Sequence, residues 1–147
     1  MSLNNTIKSL PIYLALVFLP PFIFSHDVKE IDITNRCSIE RDKIEFGNFK
    51  PEFFYRVTAA LSNKEIIDHS PVPGSTKLGD SVLGRFPLKL TLNVDGVERV
   101  INGVLMGVTI IGLPPSTVTG IPTYDISNSL INDSENVSIR KCIIYVD

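Results

Sequence analysis

Between Phe86 and Val94 every second side chain is apolar: Phe86, Leu88, Leu90, Leu92 and Val94 alternate with Pro87, Lys89, Thr91 and Asn93. Successive strand residues face opposite sides of a sheet, so this spacing predicts a strand with one buried face. Asp95-Gly96 follows, and these residue types most readily accept the positive φ that a two-residue hairpin turn requires. Val97 to Ile101 is then the returning arm. A two-residue turn sets Arg99 opposite Leu92 on the apolar face, whereas a bulged turn sets Glu98 there. Either way a charge reaches the sheet's margin, which points to a second arm near an edge.

The rest of the chain reads as further strands separated by turns. Asp27 to Glu40 suggests one or two short strands broken at Asn35-Arg36. Lys43 to Phe49 alternates through Ile44 and Phe46, then slips parity at Gly47, a sign of a bulge or bend. In Glu52 to Leu61 the parity through Phe53, Tyr55, Val57, Ala59 and Leu61 is apolar throughout and is the expected core face, leaving Phe54 outward. Lys64 to Ile67 fits a short strand or a helical turn, and His69 to Gly84 a long connection punctuated by proline and glycine. Gly103 to Leu113 is apolar and β-branched, with glycines that mark close backbone approaches within a buried strand. Ser116 to Glu135 is polar and turn-rich, with a short strand at Tyr124 to Ile126, and Val137 to Val146 closes the domain. Short strands, long loops and no strong helix predict an all-β fold: a small antiparallel β-sandwich of immunoglobulin-like or jelly-roll topology. The chain has no tryptophan, so the buried Trp of antibody domains is absent.

The N-terminus changes the domain boundaries. Lys8 is the sole charge before Asp27, and Leu10 to Phe24 is apolar. Such a stretch reads as a secretory signal over residues 1–25 with Ser25 the last residue removed. As a membrane span it is short of the ~20 residues needed, and Pro20-Pro21 interrupt it. Residues 26–147 are then a single β-sandwich domain, secreted or periplasmic, with no membrane contact after cleavage. With 14 basic and 16 acidic residues in the chain and no basic cluster, nucleic acid is an unsuitable partner. In an exported chain the two cysteines, Cys37 and Cys142, predict one disulfide between N- and C-terminal strands, stabilising by ~4–5 kcal/mol through loop-closure entropy.

Candidate chemistry is sparse. Two histidines and no nucleophile motif lack the material for a hydrolytic triad, so no catalytic residue and no cofactor are assigned. Processing after Ser25 would leave His26 at the mature N-terminus. Its amine and imidazole could chelate copper with His69 as the third nitrogen. This resembles the histidine brace of lytic polysaccharide monooxygenases and of periplasmic copper carriers, and Asp68-His69-Ser70-Pro71 is similar to the acid-and-histidine loop of the latter. That resemblance implies a copper-binding alternative at His26 and His69. Among Phe46, Phe49, Phe53, Phe54 and Tyr55, core packing accounts for most; Phe54 and Tyr55 are the candidate contacts for a ligand such as carbohydrate. Asn132 and Asn136 each begin a glycosylation sequon, usable on a eukaryotic secretory route.

Cys37-Ser38-Ile39 followed by Phe46-Gly47-Asn48-Phe49 resembles the opening of spore-coat-U-like and pilus-subunit domains. The closing Ile143-Ile144-Tyr145-Val146 is similar to the tails of chaperone-recognised pilins. Those subunits place a second cysteine where this chain has none until Cys142. The resemblance implies assembly through strand pairing. The leading expectation is a non-enzymatic binding or assembly module, either a surface-structure subunit or an adhesive domain, whose partner is another protein or its own kind. A copper-binding protein and a secreted inhibitor are the alternatives.

Overall fold

A computed structural model describes residues 27–147 apart from 71–73, 75 and 132–135. The expected signal segment, His26 and Asn132 lie outside the described residues. The strands are β1 (Lys29–Asp32), β2 (Cys37–Ile44), β3 (Glu52–Ala59), β4 (Ser81–Val94), β5 (Val97–Ile110), β6 (Thr123–Ser127) and β7 (Val137–Val146). Two short helices, α1 (Asn63–Asp68) and α2 (Asn128–Ile131), interrupt them. The strands form one antiparallel sheet in the order β1-β7-β4-β5-β6-β3-β2. The fold is therefore all-β, as the alternation predicts.

The sheet does not stay flat. Cys37 in β2, at one end of the order, is bonded to Cys142 in β7, next to the other end, with their Cα atoms 6.7 Å apart. Ends that distant in the order meet only if the sheet folds over, and it does so where β5 passes to β6 through a single ladder pair, Met106↔Thr123. A sandwich-like body results, with β7, β4 and β5 packed over β2, β3 and β6. Between them lie Tyr55, Val57 and Ala59 of β3, Phe86, Leu88, Leu90 and Leu92 of β4, Leu105 of β5, Ile126 of β6, and Cys142 and Ile144 of β7. The core face of β3 is the one its parity predicts. Burying an apolar side chain of this kind contributes roughly 1.5–3 kcal/mol relative to leaving it in water.

The β4–β5 hairpin is longer than the sequence suggests. β4 starts at Ser81, inside the stretch expected to be a loop, and alternates exposed and buried residues without a break from there to Lys89. β5 runs unbroken through Asn102 and Gly103. Its glycines mark close contacts rather than ends: a Cβ on Gly103 would clash with the Tyr124 ring, and one on Gly107 would lie 2.6 Å from Pro122. Asp95 (φ 51°) and Gly96 (φ 84°) make the tight turn, and the Asn93 carboxamide oxygen accepts from the Gly96 amide at 2.8 Å.

Two other segments settle alternatives that the sequence leaves open. At Gly47 (φ 52°) the bend and not the bulge is what forms, a tight turn in which Phe49 N–H donates to Phe46 C=O at 2.9 Å. The turn leaves Phe46 and Phe49 59% and 80% exposed, whereas core packing was the expectation for such side chains. Lys64 to Ile67 is helical because Ser62 and Glu65 form a capping box. The Ser62 hydroxyl accepts from Glu65 N–H, while the Glu65 carboxylate accepts from Ser62 N–H at 3.1 Å. Behind this helix Asn63 is buried; its amide donates to Pro114 C=O at 3.1 Å and its carboxamide oxygen accepts from Thr109 Oγ1.

Candidate functional site

The two-residue turn fixes which backbone groups of β5 face which neighbour. Val94 and Val97 flank the turn as a hydrogen-bonded pair, so odd-numbered residues of β5 direct their N–H and C=O toward β4. Even-numbered residues direct theirs away. At the far end those groups are satisfied, since Val108 C=O accepts from Gly120 N–H at 2.8 Å and Met106 pairs with Thr123. Nearer the turn, Glu98, Val100, Asn102 and Val104 direct theirs outward, and among the described residues no strand pairs with them. β6 has already turned away to pair with β3 from Thr123 to Ser127.

Among the described residues this stretch is an open sheet edge. The side chains along it are apolar in part: Val97 is 61% and Val100 55% exposed. On the outer face that Val100 shares, Met106, Val108 and Leu83 are also exposed, and Leu83 sits opposite Val108 in the ladder. Natural edges are usually blunted by proline, lysine, a bulge or a covering element. The edge from Glu98 to Val104 carries no proline or lysine, and its ladder with β4 has an unbroken register. Arg99 is the charge foreseen opposite Leu92, and that register holds. Its guanidinium does not shield the edge, because it lies on the inner face and donates to Leu130 C=O of α2 at 2.9 Å.

The residues singled out in the sequence fall elsewhere. Cys37 and Cys142 form the disulfide. Tyr55 is 3% exposed and belongs to the core, so it offers no surface contact. Phe54 does face outward, but the Arg56 guanidinium stands 5.2 Å from its ring centroid. Arg56 is itself engaged, bonded to Asp125 at 2.9 and 3.2 Å and paired with Asp42 at 3.5 Å. Its position, bound to both strands' carboxylates and over the ring, makes this cluster a cross-strand clasp. Asn136 is exposed just before β7. His69 caps the C-terminus of α1, its backbone N–H donating to Glu65 C=O at 3.2 Å, and its Nδ1 is buried without a hydrogen-bond partner among the described residues. Among the described residues no group of three His, Cys, Asp or Glu side chains is placed to hold a metal ion.

A half-open hollow of about 300 Å³ lies among Arg36, Ser38, Thr58, Ala60, Val118 and Ile121. Its polar groups are already partnered: Ser38 and Thr58 hydroxyls bond each other at 2.6 Å, and Arg36 Nη1 donates to Glu65 at 2.8 and 3.0 Å. Polar groups converging on a small ligand are what such a hollow would need. The open edge is the better candidate. Sequence reasoning located it only partly, through the misplaced charge on the second arm; the outward N–H and C=O groups follow from turn length, which the Asp95-Gly96 pair does signal.

The described residues include no helix long and apolar enough to cross a membrane. The disulfide is compatible with an extracellular or otherwise oxidising compartment. Comparison of the chain with family models, with curated proteins and with solved structures found no match.

Proposed function

We propose that this protein is a non-catalytic binding and assembly module of an oxidising compartment, and that it takes its partner by strand addition at the open edge of β5. One observation carries the reading: the outward backbone groups of Glu98, Val100, Asn102 and Val104, unpaired among the described strands beside exposed Val97 and Val100. An incoming strand would satisfy those groups by main-chain hydrogen bonds, and the alternate side chains on the outer face would set its preference. The apolar outer row of Leu83, Met106 and Val108 favours a partner strand with apolar residues on the same face.

The test is a displayed peptide library panned against the folded protein, with Val100→Pro as the counter-selection. Val100 N–H points away from β4, so proline there deletes an outward donor and no ladder bond within the hairpin. Val100→Lys is the companion variant, since a lysine blunts an edge without restricting φ. Extended peptides retained by the wild type, lost by both folded variants, and slowing amide exchange at Glu98, Val100 and Asn102 are the expected result. Binders indifferent to both variants would place recognition on another surface and overturn the reading.

A further inference from the structure

We infer that the occupant of this edge is the same edge of a second copy, paired antiparallel about a two-fold axis at Val100; the inference rests on the strand-addition reading above. A two-fold that continues a sheet is perpendicular to it and preserves its faces, so residues set opposite each other must share a parity. Only a few registers satisfy this within the uncovered stretch.

Charge and bond direction choose among them. An axis at Glu98 would bring two like charges face to face. An axis at Asn102 would require Met106, whose outward groups already meet Thr123. Axes at Arg99 or Ile101 set Glu98 opposite Val100 or Val104, whose neighbours on β4 are the uncharged Thr91 and Pro87. An axis at Val100 sets Val100 against its own image and Glu98 against the other copy's Asn102. The next residue on that cross-strand row is Lys89, which pairs with Asn102 in the ladder. Strands lie about 4.8 Å apart, so an extended Lys89 reaches across Asn102 to the incoming Glu98. Lys89 and Glu98 have no ion-pair partner of their own among the described residues. The register thus puts an apolar pair at the centre, an ion pair on each side, and both outward backbone ladders in phase. It also stops short of the turn, where Val104 of one copy meets only Gly96 of the other.

Sedimentation equilibrium over a protein concentration series tests this. The wild type is expected to dimerise reversibly, more strongly at low salt, with slowed amide exchange at Glu98, Val100 and Asn102. Glu98→Lys is expected to lower the association constant about tenfold or more by opposing Lys89. The double variant Glu98→Lys with Lys89→Glu should recover it, and Val100→Pro should abolish it while the melting transition persists. A protein that stays monomeric yet binds peptides at this edge would overturn the second copy as partner and leave the strand-addition reading standing. A dimer untouched by Val100→Pro would overturn the inference by using another surface. Failure of the double variant to recover association would overturn the register.

Discussion

Glu65 shows how one side chain ties distant parts of the chain together. It closes the capping box of α1 and accepts from Arg36, which lies 29 residues earlier. Partial burial pushes its carboxyl up, but the hydrogen bonds from Arg36 and the Ser62 backbone outweigh this and hold it below the ordinary value. A carboxyl depressed in the folded state contributes stability above its unfolded pKa of about 4.3. That contribution fades as the pH falls through the folded value, because the unfolded chain takes up the proton first. Glu65→Gln keeps an acceptor for the cap and removes the charge. It is expected to cost about 0.5–1 kcal/mol at neutral pH, within the range of caps and half-exposed ion pairs. Urea midpoints followed downward from pH 5 should then converge for the two proteins; parallel curves would show that the carboxylate contributes nothing. At this scale the sequence was half legible. Ser62 and Glu65 are spaced as a capping box, which favours the helical option over the strand. The Arg36 partnership was not, since only the folded chain brings the residue before β2 beside α1. The sequence predicts core positions for the turn phenylalanines because nothing local distinguishes an exposed Phe49 from a buried one.

For the elements, the glycines of β5 decide how the fold turns its corner. Gly103 lets the Tyr124 ring lie directly on the strand, and Gly107 admits Pro122. Both contacts come from the segment that carries the chain from the first layer to the second. Gly103→Ala would force a methyl group into the ring, and overpacking of this sort costs about 1–3 kcal/mol. The ring is rigid and held over β5 by its own strand, so relief needs a smaller side chain. Adding Tyr124→Leu to Gly103→Ala is therefore expected to recover part of the loss, read as non-additivity in a double-mutant cycle by denaturant unfolding. Full additivity would mean that the ring and the glycine do not meet. The alternation in Phe86 to Val94, the turn residues and the core parity of β3 were all legible, because each is a local statement of period or backbone conformation. The start of β4 was not: Ser81, Leu83 and Arg85 face solvent, and Gly84 disguises an inward position where an added Cβ would lie 2.8 Å from Ile66. The open edge followed from sequence only as a hint, since it depends on where β6 leaves β5.

In the molecule as a whole, the disulfide joins one end strand, β2, to β7, next to the other end, across 105 residues. It is not alone there. Ile33 N–H donates to Cys142 C=O at 2.9 Å, and Thr34 Oγ1 accepts from Cys142 N–H at 3.0 Å. The Thr34 hydroxyl is itself oriented by Asp32, to which it donates at 2.6 Å. The cross-link therefore fastens a junction that the folded chain already makes, and its main effect should be on the unfolded state. For a loop of this length chain entropy gives about 4–5 kcal/mol. Replacing both cysteines with alanine is expected to lower the unfolding free energy by up to that amount while the β-rich circular dichroism spectrum is retained. A second consequence separates this account from native strain or lost packing. Without the cross-link the unfolded chain is more expanded and exposes more surface, so the denaturant slope should rise as the midpoint falls. An unchanged slope with a lower midpoint would assign the loss to the native side, to the buried Cys142 and its neighbours, and not to chain entropy. The same variant bears on the edge of β5, which stands in the middle of the strand order with β4 between it and β7. Association through Val100 should survive the cysteine replacement wherever the protein remains folded, because removing the two sulfurs leaves in place both the β4–β5 ladder and the backbone pairing of Leu90 with residue 142.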